Sequence, residues 1–141
     1  AELQRVPFFI RVPGIEGGVN HTYGGQIDIL PTLLHLLGVE TKDYVHFCTD
    51  LLSPNHIEVV PFRNGEFVSP TITYVADKFY DSETGLPLEE DKLDEAKNYQ
   101  KFVQDRLEFS DRVVNGDLLR FYTPENFTPV DRSEYDYLKS E

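Results

Sequence analysis

Four histidines and one cysteine are the residues of this sequence whose types could carry metal or nucleophilic chemistry. The histidines are His21, His35, His46 and His56. No two of them stand in an HxH, HxxxH or HExxH spacing, which would bring two metal ligands together on one strand or helix. Cys48 has no second thiol, and the surrounding FCTD is not a nucleophile elbow, so a small buried apolar residue is its expected role. We therefore assign no catalytic and no metal-binding residue.

The setting of each histidine favours a structural role. His35 lies inside an apolar helical stretch, where a hydrogen-bonded packing histidine is expected. His46 and His56 flank a turn-rich segment and should be exposed. His21 is the best candidate for ligand contact, because it follows a predicted strand and open α/β sheets bind ligands beyond the carboxyl ends of strands. The alternative is a hydrogen bond within its loop. The same loop holds Asn20, Thr22 and Tyr23.

Glycines and acidic clusters add no site. The loop glycines form neither GxGxxG nor a P-loop: Gly17, Gly18, Gly24 and Gly25. One acidic cluster suits a helix start and its solvent face better than a cation site: Glu89, Glu90, Asp91, Asp94 and Glu95. Asp111 and Asp117 should cap a helix or pair with Arg112 or Arg120. The substrate-binding residues stay unknown.

Charge and hydropathy exclude several partners. The 141 residues hold 13 Lys and Arg against 25 Asp and Glu, a formal net charge of −12, so nucleic acid and anionic membrane surfaces should be repelled. No stretch approaches the roughly 18 apolar residues of a membrane helix, and the first residues do not read as a signal peptide. The sequence contains no methionine, and we expect it to be a fragment of a longer protein.

The first part of the chain predicts one strand and one helix. The apolar run over 6–12 ends at Pro13 and suits a strand covered on both faces. A helix should start near Asp28, hold Pro31 in its first turn and end at Gly38. Its apolar residues cover more than one face, which predicts burial: Ile29, Leu30, Leu33, Leu34, Leu36 and Leu37.

The second part, residues 39–87, predicts three or four short antiparallel strands. Asn64-Gly65 is the dipeptide that most favours a type I′ hairpin turn, and Ala76-Asp77 predicts another tight turn. Pro61 and Pro70 should lie at edges, strand ends or bulges, because proline lacks a ladder donor.

The third part predicts a long amphipathic helix that follows the acidic cluster and is interrupted at Asn115-Gly116. Its apolar stripe is Leu93, Ala96, Tyr99, Val103, Leu107 and Val114. The tail from residue 123 should form an extended strap. The fold class is α/β, as an α+β fragment: residues 1–38 end an α/β core, and residues 39–141 form a C-terminal subdomain.

Two motifs resemble a known superfamily. RVPFFIRVPG followed by YGGQIDILPTLLHLLGV resembles the C-terminal part of the sulfatase and alkaline phosphatase superfamily, with Asp28, Pro31 and Thr32 carrying the match. Three later segments are similar to the lipoteichoic acid synthase family of glycerol phosphate transferases within it. These segments are TDLLS, VVPFRNGEFVSP and NGDLLRFYTPENF.

The resemblance implies the parent's activity but not its machinery in this chain. Members of the family transfer glycerol phosphate from phosphatidylglycerol to a growing polymer, with a threonine nucleophile and a manganese or magnesium ion, on the outer face of the Gram-positive membrane. In the family these groups precede the VP strand, so no catalytic or metal residue is carried over. The implied partner is the catalytic N-terminal part of the same enzyme.

Three alternatives stay open. A related sulfatase or phosphoethanolamine-type transferase would differ in substrate alone. A non-catalytic module would bind cell-wall polymer or protein through the small sheet and acidic helix. A purely structural subdomain would expose a large apolar patch toward the rest of its parent.

Overall fold

The computed structural model describes residues 5–42, 45, 47, 49–125 and 128. A 3₁₀ turn, Gln26–Asp28, leads into α1, Ile29–Leu36. Four strands follow: β1, Val60–Pro61; β2, Phe67–Val68; β3, Ile72–Val75; and β4, Lys78–Asp81. A 3₁₀ turn over Glu90–Lys92 opens α2, Leu93–Asn115, and another covers Leu118–Arg120. The predicted small antiparallel sheet and long helix are confirmed.

The sheet is a meander in the order β1-β2-β3-β4, with every neighbouring pair antiparallel. Pro61 lies on the edge strand β1 and Pro70 in the turn between β2 and β3, so both prolines avoid a central ladder position as predicted. The side chain of Ser69 closes that turn, because its hydroxyl donates to the Ile72 carbonyl and accepts from the Ile72 N–H. Short strands are thus joined by tight, internally bonded turns.

The type I′ geometry that the sequence predicts for the first hairpin turn is found in the last one instead. Asn64 does not have a positive φ, and only Gly65, at +86°, is left-handed, so the predicted type I′ turn is wrong. The Gly65 N–H instead donates to the Phe62 carbonyl, which makes a longer connection closed by a left-handed glycine. Ala76 and Asp77 both have positive φ, +49° and +59°, as a type I′ turn requires.

The core forms where the sheet meets α2. Phe67, Ile72, Ala96 and Val103 are fully buried there. The Phe67 ring meets the Tyr99 ring of α2 edge to face, with centroids 6.2 Å apart. These contacts make the sheet and the long helix one packed unit.

At the C-terminal end of α2, the buried face differs by one residue from the predicted apolar stripe. Val114, which the stripe includes, is 70% exposed, whereas Val113 is 4% exposed. The helix does end as predicted, since Gly116 caps it through its N–H to the Arg112 carbonyl. A Cβ at Gly116 would lie 2.7 Å from that oxygen, which explains the glycine.

The N-terminal prediction is half right. Helix α1 starts after Asp28, holds Pro31 in its first turn and is followed by a left-handed Gly38, as expected. Residues 6–12 form no strand among the described residues, because a ladder needs a neighbouring strand and the four-stranded sheet does not supply one here. His46, Cys48 and most of the predicted strap lie outside the described residues. No described helix is long and apolar enough to cross a bilayer.

The predicted burial of α1 is also wrong within the described chain. Only Pro31 and Thr32 of this helix are buried, and Leu30 is 61% exposed. The described residues therefore cover the apolar side chains of this helix only in part.

Candidate functional site

The candidate functional site is a polar network at the start of α1, centred on Asp28. The Asp28 side chain lies in the protein interior, where only 4% of the residue is exposed. Its carboxylate accepts hydrogen bonds from the backbone N–H of Gly25, at 2.8 Å, and of Thr49, at 3.2 Å. Since the first turn of a helix leaves N–H groups unpaired and favours negative charge, Asp28 is suited to this place. It also attaches a segment 21 residues away.

Thr32 provides the second attachment of that segment. Its hydroxyl donates to the Asp28 carbonyl, at 2.6 Å, and accepts from the Leu51 N–H, at 3.0 Å. Gly24 permits the close approach, because a Cβ there would lie 2.2 Å from a terminal carbon of Leu51. Asp28, Pro31 and Thr32, the residues of the Asp-x-x-Pro-Thr motif, are thus all structural in the described chain.

His56 extends the network to the loop before the helix. Its Nδ1 lies 2.6 Å from the Thr49 hydroxyl, and its Nε2 lies 2.8 Å from the Tyr23 carbonyl oxygen. Glu58 accepts from the Tyr23 N–H at 2.8 Å. The prediction that His56 is exposed is wrong, since the residue is half-buried between these partners.

His35 is not the packing histidine that the apolar stretch predicts. The residue is exposed, and its Nδ1 donates to the carboxylate of Asp50. The helix carries His35 to the surface on a side that the described residues leave open, and Asp50 supplies a charged partner there. The pair links α1 to the same returning segment that Asp28 and Thr32 hold.

His21 is exposed and makes no hydrogen bond with the described residues. The loop-internal bond offered as its alternative role is made instead by Asn20, whose side-chain oxygen accepts from the Thr22 N–H at 2.9 Å. The His21 ring is therefore presented to solvent, and contact with a ligand stays a prediction.

The acidic residues around α2 are structural where the structure pairs them. Asp117 pairs with Arg120 at 3.7 Å, as predicted, but Asp111 pairs with Arg63 of the first hairpin rather than with Arg112. The latter pair joins the hairpin to the C-terminal half of α2. Nothing in the sequence spacing marks a partner 48 residues away.

The described residues do not fit a metal centre. In residues 5–42, 45, 47, 49–125 and 128, no group of three or more His, Cys, Asp or Glu side chains converges on one point. Divalent cations need several such ligands or backbone oxygens in a fixed geometry. We therefore derive no step through the manganese or magnesium that the family resemblance implies.

An open apolar groove of about 470 Å³ runs between the N-terminal segment and α1. It is lined by Val6, Pro7, Phe8, Gln26, Ile29, Leu30 and Leu33. We call the six apolar residues of this lining the apolar face. Leu30, one of the six, is 61% exposed. Exposure of so many large apolar side chains in one place is the mark of an interaction surface.

Several members of the polar network were not identified from the sequence. Thr49, Asp50 and Glu58 act on residues between 15 and 35 positions away, which no local periodicity or motif encodes. Asp28 was predictable as a helix-start carboxylate, but its second bond to Thr49 was not. The only signal was the turn-rich composition of the segment that brings these residues back to α1.

Comparison with known proteins identifies relatives of the whole chain. No protein-family model matches it. Lipoteichoic acid synthase 2 of Bacillus subtilis (strain 168) is 51% identical over 139 residues, which are 99% of this chain and 21% of the relative. Lipoteichoic acid synthase 1 of the same organism is 50% identical over the same lengths. Lipoteichoic acid synthase of Staphylococcus saprophyticus is 46% identical over 136 residues, or 96% of this chain and 21% of the relative.

Identity of about one half over nearly every residue shows that the chain is homologous to one segment of the lipoteichoic acid synthases. It spans about a fifth of the length of the curated relatives that it matches. The resemblance predicted from the sequence motifs is confirmed.

Proposed function

We propose that the chain is the C-terminal scaffold segment of a lipoteichoic acid synthase. The whole enzyme would polymerise glycerol phosphate taken from phosphatidylglycerol, at the outer face of a Gram-positive cell membrane. The observation that carries the proposal is the 46–51% identity to three synthases over 96–99% of the chain. The chain's share of each relative, 21%, leaves most of the enzyme outside it.

The apolar face supports a scaffold role. Val6 and Leu30, which are 58% and 61% exposed, would each contribute on the order of 1–2 kcal/mol if their remaining exposed surface were removed from water. A chain that folded for use alone would be expected to cover such a face or replace it with polar residues. The rest of the enzyme is the proposed occupant, since the relatives are about five times longer than this chain.

The catalytic groups would then lie in the part of the enzyme outside this chain. A threonine nucleophile and a manganese or magnesium ion would be held there, because the described residues offer no converging ligand set. When bound, the ion would polarise the phosphate and lower the pKa of the attacking hydroxyl. The contribution of this chain would be the wall formed by α1 and the loop before it.

The test compares three proteins: the full-length synthase that contains this chain, the same protein without it, and the 141-residue chain by itself. Release of glycerol phosphate from phosphatidylglycerol vesicles is measured with manganese or magnesium present. We expect activity from the full-length protein alone. Activity of the 141-residue chain, or an inactive full-length protein, would overturn the proposal.

A further inference from the structure

The loop before α1 is held by side chains from a distant segment. Both backbone groups of Tyr23 are engaged, since its N–H donates to Glu58 and its carbonyl accepts from His56. These partners stand 35 and 33 residues further along the chain. A bond pair of this kind fixes the path of the main chain at one residue of an otherwise exposed loop.

The hydrogen-bonding roles of the His56 ring follow from its partners. The carbonyl of Tyr23 can only accept, so Nε2 of His56 must carry a proton. In the neutral ring Nδ1 then accepts from the Thr49 hydroxyl. Because the Thr49 N–H donates to the buried Asp28 carboxylate, a continuous series of contacts joins the interior to the loop. We call Asp28, Thr49, His56 and Tyr23 the loop clamp.

The clamp holds the loop without burying its side chains. Tyr23 is itself 40% exposed, and His21 and Asn20 are exposed beside it. Packing therefore does not account for the contacts on the Tyr23 backbone. These contacts fix the main chain at Tyr23, two residues beyond His21.

The loop also borders the surface where the rest of the enzyme is proposed to lie. Gln26 lies three residues beyond Tyr23 and lines the groove of the apolar face. The loop presents the Asn20 amide, the His21 imidazole and the hydroxyls of Thr22 and Tyr23 beside this surface. Such groups can donate hydrogen bonds to a phosphate ester and its glycerol hydroxyls. Pre-orientation of those groups would reduce the entropy lost on binding.

We propose that His56 is a positioning residue that holds the loop of residues 20–23 against the glycerol phosphate substrate of the full enzyme. The inference rests on the proposed function. His56 acts through the Tyr23 backbone and does not itself touch substrate. Its loss should weaken substrate binding more than it slows the reacting step.

The experiment uses the full-length synthase with His56→Phe, which removes both ring nitrogens, and His56→Gln, whose amide can still donate to the Tyr23 carbonyl. Lys97→Gln is the control, because that residue is exposed on α2 and lies outside the polar network. Thr49→Val serves as a second clamp variant if His56→Phe does not fold. Hydrogen exchange of peptides covering residues 20–25 is measured beside KM and kcat for phosphatidylglycerol.

We expect His56→Phe to speed exchange of residues 20–25 by about tenfold or more. It should raise KM by about fivefold while kcat changes less than about twofold, with partial rescue in His56→Gln. Lys97→Gln should match the wild type. Unchanged exchange, or faster exchange with KM unchanged, would overturn the inference. An inactive wild-type enzyme would overturn the proposed function instead, and exchange would still show whether the clamp holds the loop.

Discussion

The carboxylate of Asp28 accepts a hydrogen bond from the Thr49 N–H, so a single buried side chain connects the start of α1 to a segment that returns 21 residues later. Replacement by alanine would leave that N–H and the Gly25 N–H without their partner. Since hydrogen bonds to a charged group and helix-start caps each contribute on this scale, Asp28→Ala should lower the free energy of unfolding by about 2–3 kcal/mol in urea denaturation.

Asp28→Asn and Asp91→Ala are the controls for this prediction. The asparagine keeps one side-chain acceptor and should cost less than alanine. Asp91 lies exposed in the first turn before α2, where its loss should cost no more than about 0.5 kcal/mol. Equal effects of Asp28→Ala and Asp91→Ala would show that the buried bonds contribute nothing beyond a helix-end charge.

Adjacent valines of α2 test which face of the helix is buried. Val113→Ala should lower the free energy of unfolding by roughly 1–2 kcal/mol, because a buried side chain loses two methyl groups and leaves a cavity. Val114→Ala should change it by less than about 0.5 kcal/mol, since Val114 is exposed. A larger loss of unfolding free energy in Val114→Ala than in Val113→Ala would instead support the stripe predicted from the sequence, which includes Val114.

The turn between β3 and β4 holds a left-handed alanine. A side chain at positive φ costs on the order of 1 kcal/mol, and asparagine tolerates this conformation better than alanine. Ala76→Asn should therefore stabilise the protein by about 0.5–1 kcal/mol, measured as a higher thermal midpoint. The backbone N–H that donates to Glu66 is kept.

Gly65→Ala is the matched control for the turn. Its φ is +86° and no atom lies within 4 Å of the added Cβ, so backbone strain alone should destabilise the variant by about 1 kcal/mol. A destabilised Ala76→Asn would mean that the alanine conformation is not a source of strain.

Acid sensitivity should include a contribution from Asp81 at the end of β4. Hydrogen bonds from the Thr84 N–H and hydroxyl, followed by those from Lys92 and Glu83, hold the pKa of this carboxyl below its ordinary value of 3.8. A lowered folded-state pKa gives stability that is present above pH 3.8 and lost as the pH falls through the folded value. Asp81→Asn should therefore differ from the wild type at neutral pH and converge with it in strong acid.

Urea midpoints of both proteins from neutral pH down to about pH 2 measure this convergence. Asp77→Asn is a control, as it changes a carboxylate at the neighbouring turn that shares none of the Asp81 partners. A constant difference between Asp81→Asn and the wild type at every pH would contradict the assignment.

Local patterns predicted the local structure of this chain. The capping residues of α1, the Asn115-Gly116 end of α2 and the Ala76-Asp77 turn each depend on neighbours within a few positions. Residues 6–12 were different, because an apolar run favours a strand only when another strand is present to pair with it. The described residues likewise supply too few neighbours to cover α1, which is apolar on more than one side, so much of this helix lies exposed.

The polar network was the least predictable part. Asp50 stands 15 residues from His35, and Tyr23 stands 33 residues from His56, so the environments of the two histidines depend on how the returning segment packs. The turn-rich composition predicted exposure for His56 and the apolar helix predicted a packing role for His35, and both predictions were wrong. Side-chain bonds across such distances follow from the fold and leave no mark in spacing.

The most direct measurement of the central claim is the thermal midpoint of the full-length synthase carrying Leu30→Lys, compared with Leu86→Lys. Leu30 belongs to the apolar face and Leu86 lies beside the small sheet, with 61% and 64% exposure in this chain. If the rest of the enzyme covers the apolar face, Leu30→Lys buries an unpaired charge and lowers the midpoint by several degrees, whereas Leu86→Lys leaves it unchanged. Equal midpoints for the two variants and the wild type would contradict the account.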